Sequence, residues 1–176
     1  MEIDFTTWPD GPSEKAYSQS ANDLHLKSDT CTFPEPVSVE VTVQKSDDQA
    51  VVEGQVATTA QGTCVRCLVL FAIPVREEFR TVVKVVPDAE VGEDSGDDDF
   101  VLIAASHPVW NIGDASREII MLALPDNPLC KDDCAGLCAG CGANLNLENC
   151  RCGPKPANPA LARLGDILGT VRPKKN

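Results

Sequence analysis

Nine cysteines stand in this 176-residue chain, and eight of them are clustered at spacings that suit metal ligation. Cys64 and Cys67 form a C-x2-C pair in QGTCVRCL, and Cys130, Cys134, Cys138, Cys141, Cys150 and Cys152 follow in LCKDDCAGLCAGCGANLNLENCRCG. Eight thiolates are the number that two tetrahedral four-sulfur sites require, and Zn2+ is the ion that most often takes that geometry. The spacing therefore predicts two Zn2+ per chain. A site closed by four thiolates keeps no open position for a substrate, so the chemistry expected is that of a staple in a binding protein, not of an enzyme.

A C-x2-C turn lets both sulfurs face one ion while backbone N–H groups point at the thiolates, and a glycine just after the second cysteine relaxes the backbone for it. CAGCG supplies that glycine as Gly142, which makes Cys138 and Cys141 the best-defined pair. Cys150 and Cys152, a tighter C-x-C pair beyond the short loop GANLNLEN, are its natural partners. Cys130 and Cys134 lie at i, i+4, on one helical turn or a wide loop, and can complete a second site with Cys64 and Cys67. That site would close the long loop from Cys67 to Cys130. Exchange of Cys134 with Cys138, or one site of four with spare thiols, stays open at this level. Cys31 in DTCTFPEP is left over as a structural or bystander thiol.

Redox and iron–sulfur chemistry are the competing readings of these thiols. Oxidoreductase C-x2-C pairs open a helix in a βαβ pattern, whereas Cys64 and Cys67 separate strand-like segments. Four thiolates suit an iron–sulfur cluster as well as zinc, and spacing alone does not separate them. His25 and His107 are the only histidines, and neither belongs to a catalytic motif. Phosphate-cradling glycine loops, H-E-x-x-H and G-x-S-x-G are missing from the sequence.

The formal net charge of −12 argues against simple electrostatic wrapping of nucleic acid, and an aromatic content of 5% leaves few rings to stack on bases. The charge is uneven. From Arg151 onward six basic residues (Arg151, Lys155, Arg163, Arg172, Lys174, Lys175) meet one acid, giving a +5 tail on a body of −17. That tail is the candidate surface for RNA or another partner. The start MEIDFTTWPDGPSEK has neither the basic nor the apolar region of a secretory signal, and no run suits a membrane span, so a soluble cytoplasmic protein is expected. Thiols stay reduced there, which favours metal over disulfides.

The elements that must position these thiols read as α+β, mainly antiparallel sheet with one or two packed helices and a C-terminal cysteine-rich segment. Residues 1–36 are polar and proline-punctuated, with an opening strand or short helix that cannot be placed. Residues 37–128 form a β-rich core with a helix, and residues 129–176 the zinc-binding tail. VSVEVTVQ puts Val37, Val39, Val41 and Val43 on one face of a strand, SDDQ turns, and a strand returns over about 51–59. CLVLFAIPV and EEFRTVVKVVP read as strand segments broken at Pro74, and FVLIAAS as another. Between them, residues 88–99 make an acidic loop without the ligand spacing of a calcium site. GDASREIIMLALP predicts a helix capped by Asp114, with Glu118 in its first turn, Ile119, Ile120, Leu122, Ala123 and Leu124 on its apolar face, and Pro125 as its stop. ANPALARLGDILGT predicts a closing amphipathic helix bearing Leu161, Leu164, Ile167 and Leu168.

The CVRC pair, the helix ending in ALP, GLCAGCGANLN and the closing NPALARLGDIL together resemble the YceD family, over about residues 64–168. Its members are bacterial and plastid proteins associated with accumulation of large-subunit ribosomal RNA. The resemblance implies a non-enzymatic factor in large-subunit assembly or in stabilising its RNA. Its partner would be a large-subunit rRNA precursor, a basic large-subunit ribosomal protein, or both, with no membrane and no small-molecule substrate. In this family the C-x-R-C pair is more widespread than the full cysteine tail, which suits Cys64 and Cys67 pairing with Cys130 and Cys134. The alternatives are a zinc-stabilised protein-interaction module and a thiol–disulfide redox protein.

Overall fold

Alternation of valine with polar residues builds the centre of the molecule. In the computed structural model, which describes residues 1–91 and 100–152, eight strands and one α-helix are formed. They are β1 (Glu2–Asp4), β2 (Gly11–Gln19), β3 (Cys31–Thr32), β4 (Val37–Ser46), β5 (Gln49–Thr63), β6 (Leu70–Val86), β7 (Phe100–Ala104), β8 (Val109–Asn111) and α1 (Ile112–Ala123). The main sheet runs β2-β4-β5-β6-β7, with β3 paired to the end of β5, and β1 pairs β8 in a separate two-stranded ribbon. Val37, Val39, Val41 and Val43 are all buried, as their period of two requires, and share the core with Val52, Val56, Val75 and Val83. Burial of each such side chain contributes roughly 1.5–3 kcal/mol. Ile3, Phe5, Leu24, Leu26, Trp110, Ile112 and Ile120 complete that core from the ribbon, the loops and α1.

Several elements differ from the sequence reading. The first 36 residues hold three strands, and β2 pairs β4 along its whole length from Gly11↔Lys45 to Gln19↔Val37. β5 is longer than the 51–59 expected, because β6 pairs it continuously from Gln49↔Lys84 to Thr63↔Leu70. Pro74 does not break β6 but sits opposite Thr59 within it. β7 pairs β6 only over Val82–Val86, so at Pro74 one side of β6 has no strand beside it among the described residues, and a residue without N–H is tolerated there. That β6–β7 pair is parallel, which makes the sheet mixed. A crossover, and not a hairpin, must join these strands. The connection starts after Val86 with a 3-10 turn (Asp88–Glu90) tied down by Ser106 N–H donating to Asp88 Oδ1 at 3.1 Å.

The helix is capped by Asn111, not Asp114. Asn111 Oδ1 accepts from Gly113 N at 3.0 Å, and Asn111 Nδ2 donates to Asp114 Oδ2 at 2.8 Å, so Asp114 supports the cap from the first turn. The buried face is also narrower than expected: Ile112, Ser116 and Ile120 point inward, whereas Leu122 is 80% exposed. The predicted closing helix and its apolar residues lie outside the described residues. No helix among the described residues is long and apolar enough to cross a membrane.

Candidate metal centre

The hairpin β5–β6 ends in the turn CVRCL, and this turn carries Cys64 and Cys67 past the rim of the sheet. Leu68 N–H closes the turn on Cys64 O at 2.9 Å. CAGCG repeats the device: Gly142 N–H donates to Cys138 O at 2.8 Å. Both turns need a left-handed residue after the second cysteine. Gly142 supplies it at φ 76 with no steric cost, and Leu68 adopts it at φ 58 in spite of its side chain.

The eight thiols come together in two groups of four, Cys64 with Cys67, Cys130 and Cys134, and Cys138 with Cys141, Cys150 and Cys152, the sulfurs of each lying within 4.8 Å of one another. Cys64 and Cys134 are 3.7 Å apart and Cys67 and Cys130 3.6 Å. In the other group Cys138 and Cys141 stand 3.1 and 3.6 Å from Cys150. Four sulfurs about 2.3 Å from a central ion would be spaced by about 3.8 Å, so both groups fit a tetrahedral thiolate site. All nine cysteines are free thiols. Cys31 is buried on β3 opposite Gly62, apart from both groups. Four soft sulfurs closed around one point suit zinc, and they suit iron as well; the geometry could hold a metal ion without naming it.

The groups differ in their surroundings. The first is buried at Cys64, Cys67 and Cys134 and packed by Phe71, Leu129 and Leu137. Val65 N–H donates to Pro128 O at 3.0 Å and Leu137 N–H to Arg66 O at 3.0 Å, so this turn is stitched to the segment after α1 on both sides. Arg66 adds a guanidinium bond to Cys134 O at 3.0 Å. The second group is more open, with Cys141 and Cys152 exposed. Backbone N–H groups face its sulfurs, Gly140 N to Cys138 at 3.4 Å and Cys152 N to Cys150 at 3.2 Å.

Burial disfavours charge on Cys64, but backbone N–H groups of Cys130, Cys67 and Arg66 lower its pKa to about 6. Burial and the sulfurs of Cys67, Cys134 and Cys64 push Cys130 up to about 12. Cys138 is lowered to about 6 by hydrogen bonds from Cys150, Cys141 and Gly140, and Cys150 and Cys141 push Cys152 up to about 12. In the first group burial opposes charge on Cys134 too, but the Asn146 amide and Gly136 N–H lower it along with Cys64, while Cys67 and Cys130 are raised; a cation is what neutralises the set.

Of the basic residues singled out in the sequence, Arg151 lies exposed beside the second group, and Lys155, Arg163, Arg172, Lys174 and Lys175 fall outside the described residues. His25 and His107 are both exposed. Spacing assigned no role to Arg66 or Asn146, although both reach Cys134, 68 and 12 residues away. Bonds of this kind leave no periodic trace in a sequence.

A chain with this β-rich core and these paired thiol turns belongs to the YceD family: the family of the large ribosomal RNA subunit accumulation protein YceD matches residues 52–168. An uncharacterized protein of Mycobacterium tuberculosis is 27% identical over 136 residues, covering 76% of this chain and 62% of its own. An Arabidopsis thaliana protein named large ribosomal RNA subunit accumulation protein YCED homolog 1, chloroplastic, is 25% identical over 181 residues, covering 89% of this chain and 56% of its own. The chain thus spans less than two thirds of the length of these relatives. No solved structure matches it.

Proposed function

We propose that this protein is a non-enzymatic factor, stapled by two Zn2+, that acts in large ribosomal subunit assembly or in accumulation of large-subunit rRNA in a bacterial cytoplasm. The observation that carries the reading is the occurrence of two closed four-thiol groups in a chain of the YceD family. All four sulfurs of each group converge on one point, which leaves no position for a reacting water, so the sites serve as staples. Cys64, Cys67, Cys130 and Cys134 hold one ion; Cys138, Cys141, Cys150 and Cys152 hold the other.

Contact with the ribosome is divided by charge. The basic tail, Arg151, Lys155, Arg163, Arg172, Lys174 and Lys175, approaches rRNA phosphate. The sheet faces a basic ribosomal protein. What supports the second half is a groove of about 1000 Å³ across β2, β4, β5 and β6, lined by Glu14, Glu40, Glu53 and Glu78 against Lys15 and Arg80. Arg80 is itself bound to Glu53 at 3.2 Å, which leaves the groove acidic. A second reading, a zinc-stabilised protein-interaction module without RNA, is favoured by the exposed Val65, Leu68, Val69 and Leu70 around the first turn.

Elemental analysis of protein purified without chelator, followed by crosslinking in cells and identification of both RNA and protein partners, tests the proposal. Two zinc ions per chain with large-subunit precursor RNA in the crosslinks is the expected result. Zinc with protein crosslinks alone would select the interaction module. A metal-free protein that reduces disulfides would overturn the reading in favour of redox chemistry.

A further inference from the structure

One side chain joins the two thiol groups. Asn146 lies on the loop between Cys141 and Cys150, within the second group's span, yet its Nδ2 donates to Sγ of Cys134 in the first group at 3.3 Å. The other end of the same amide, Oδ1, accepts Ala135 N–H at 2.9 Å. Asn144 fixes this orientation, since its Oδ1 accepts both Asn146 N at 3.0 Å and Asn146 Nδ2 at 2.9 Å. The amide is half-buried, with one donor group on the sulfur and its neighbour.

We propose that Asn146 is the positioning residue through which the second metal centre tightens the first. This rests on the reading of both thiol groups as metal sites. A hydrogen bond to a ligating thiolate stabilises its charge and holds its orientation, and loss of such a partner typically costs 10- to 100-fold in metal affinity. Asn146 differs from an ordinary partner of this kind in what carries it. Its loop is bounded by Cys141 on one side and Cys150 on the other, so drawing the second group around an ion pins both ends. The remaining ties of the loop to the first group's side are few: Leu145 N–H to Gly136 O at 2.9 Å, and the bridge between Leu137 and Asn144. With the second site filled, Nδ2 is held on Cys134. With it empty, the loop ends separate and the donor leaves the sulfur. Linkage makes the effect mutual, so an ion in the first site favours the second by the same factor.

The test uses the full chain with two ions verified by elemental analysis, and follows release of zinc to excess chromophoric chelator. Cys67→Ser and Cys152→Ser assign the kinetic phases to the first and second sites. Asn146→Ala is expected to speed release from the first site about 10- to 100-fold. Cys152→Ser should speed that same phase to a similar extent, and the double variant should exceed either single one by no more than about twofold. Asn146→Asp keeps the acceptor for Ala135 and the side-chain size but removes the donor, and should be at least as fast as Asn146→Ala. In the cobalt-loaded chain both variants should shift the sulfur-to-metal charge-transfer band of the first site while the far-UV circular dichroism is unchanged. First-site release within about twofold of the unaltered chain in Asn146→Ala, or multiplied effects in the double variant, would overturn the proposal. A chain that takes up no metal would instead remove the metal reading beneath it, and the elemental analysis distinguishes the two.

Discussion

The two turns CVRCL and CAGCG perform one task with different residues at the left-handed position, and the difference is measurable. Leu68 is 63% exposed at φ 58, so its side chain contributes little packing to offset its backbone strain. Leu68→Gly is expected to stabilise the metal-loaded protein by about 1 kcal/mol in urea unfolding. Gly142 has φ 76 and no atom within 4 Å of an added Cβ, so Gly142→Ala should destabilise by about 1 kcal/mol through conformation alone. Equal and opposite failure of these two would show that the turns are not equivalent. The thiols themselves set a pH dependence. Ligation needs thiolates, and without a cation Cys130 and Cys152 stand at about 12 while Cys64 and Cys138 stand at about 6. Near neutral pH the metal must therefore displace protons from at least Cys130 and Cys152, and affinity rises with pH and falls with acid. An indicator dye in weak buffer should acidify when metal is added to the reduced, metal-free chain; no acidification would count against thiolate ligation.

At the scale of elements, the two groups connect different parts of the chain. The first joins the tip of the β5–β6 hairpin to the segment following α1, with sulfurs 63 and 70 residues apart in sequence brought into contact. The second closes only a local loop, its contacts spanning 9 and 12 residues. A structural zinc site contributes on the order of 10 kcal/mol to folding, and the share that reaches the sheet depends on what the site connects. Cys67→Ser is therefore expected to lower hydrogen-exchange protection through β5 and β6, and Cys141→Ser to do so mainly over residues 137–152. Equal loss across the sheet in both variants would show that the second group also supports the body. Pro74 and Asn111 teach a related point. A proline reads as a break and an aspartate as a cap until the neighbouring strand and the path of the chain into α1 are known.

For the whole molecule, the separation of charge makes the prediction. If the +5 tail meets phosphate, its contribution comes from release of counterions and must weaken as salt rises. Deleting the charges at Arg172, Lys174 and Lys175 should cut association with large-subunit precursors at moderate salt and leave metal content unchanged. Neutralising the acids of residues 88–99 should matter little for RNA, because phosphate repels them, whereas their charge would steer a basic protein. Gradient sedimentation of the two variants separates these roles. Unchanged salt dependence without the tail charges, together with lost binding after loop neutralisation, would assign the contact to a basic ribosomal protein.

Local periodicity and composition determined much by themselves. The valines at 37, 39, 41 and 43 declared a half-buried strand because a period of two admits one buried face, and Gly142 declared its turn because few other residues adopt its φ. Eight clustered thiols in pairs likewise pointed to two groups of four, with one site and spare thiols left open. Which sulfur joins which site was decided only in three dimensions: Cys134 and Cys138 are close in sequence, and Cys134 enters the first group because the turn at Arg66 binds the chain on either side of Gly136. The parallel pairing of β7, the cap at Asn111, the exposure of Leu122 and the reach of Asn146 to Cys134 were decided there too. Each depends on a partner distant along the chain or on the path a connection takes, and neither quantity is written in the spacing of neighbouring residues.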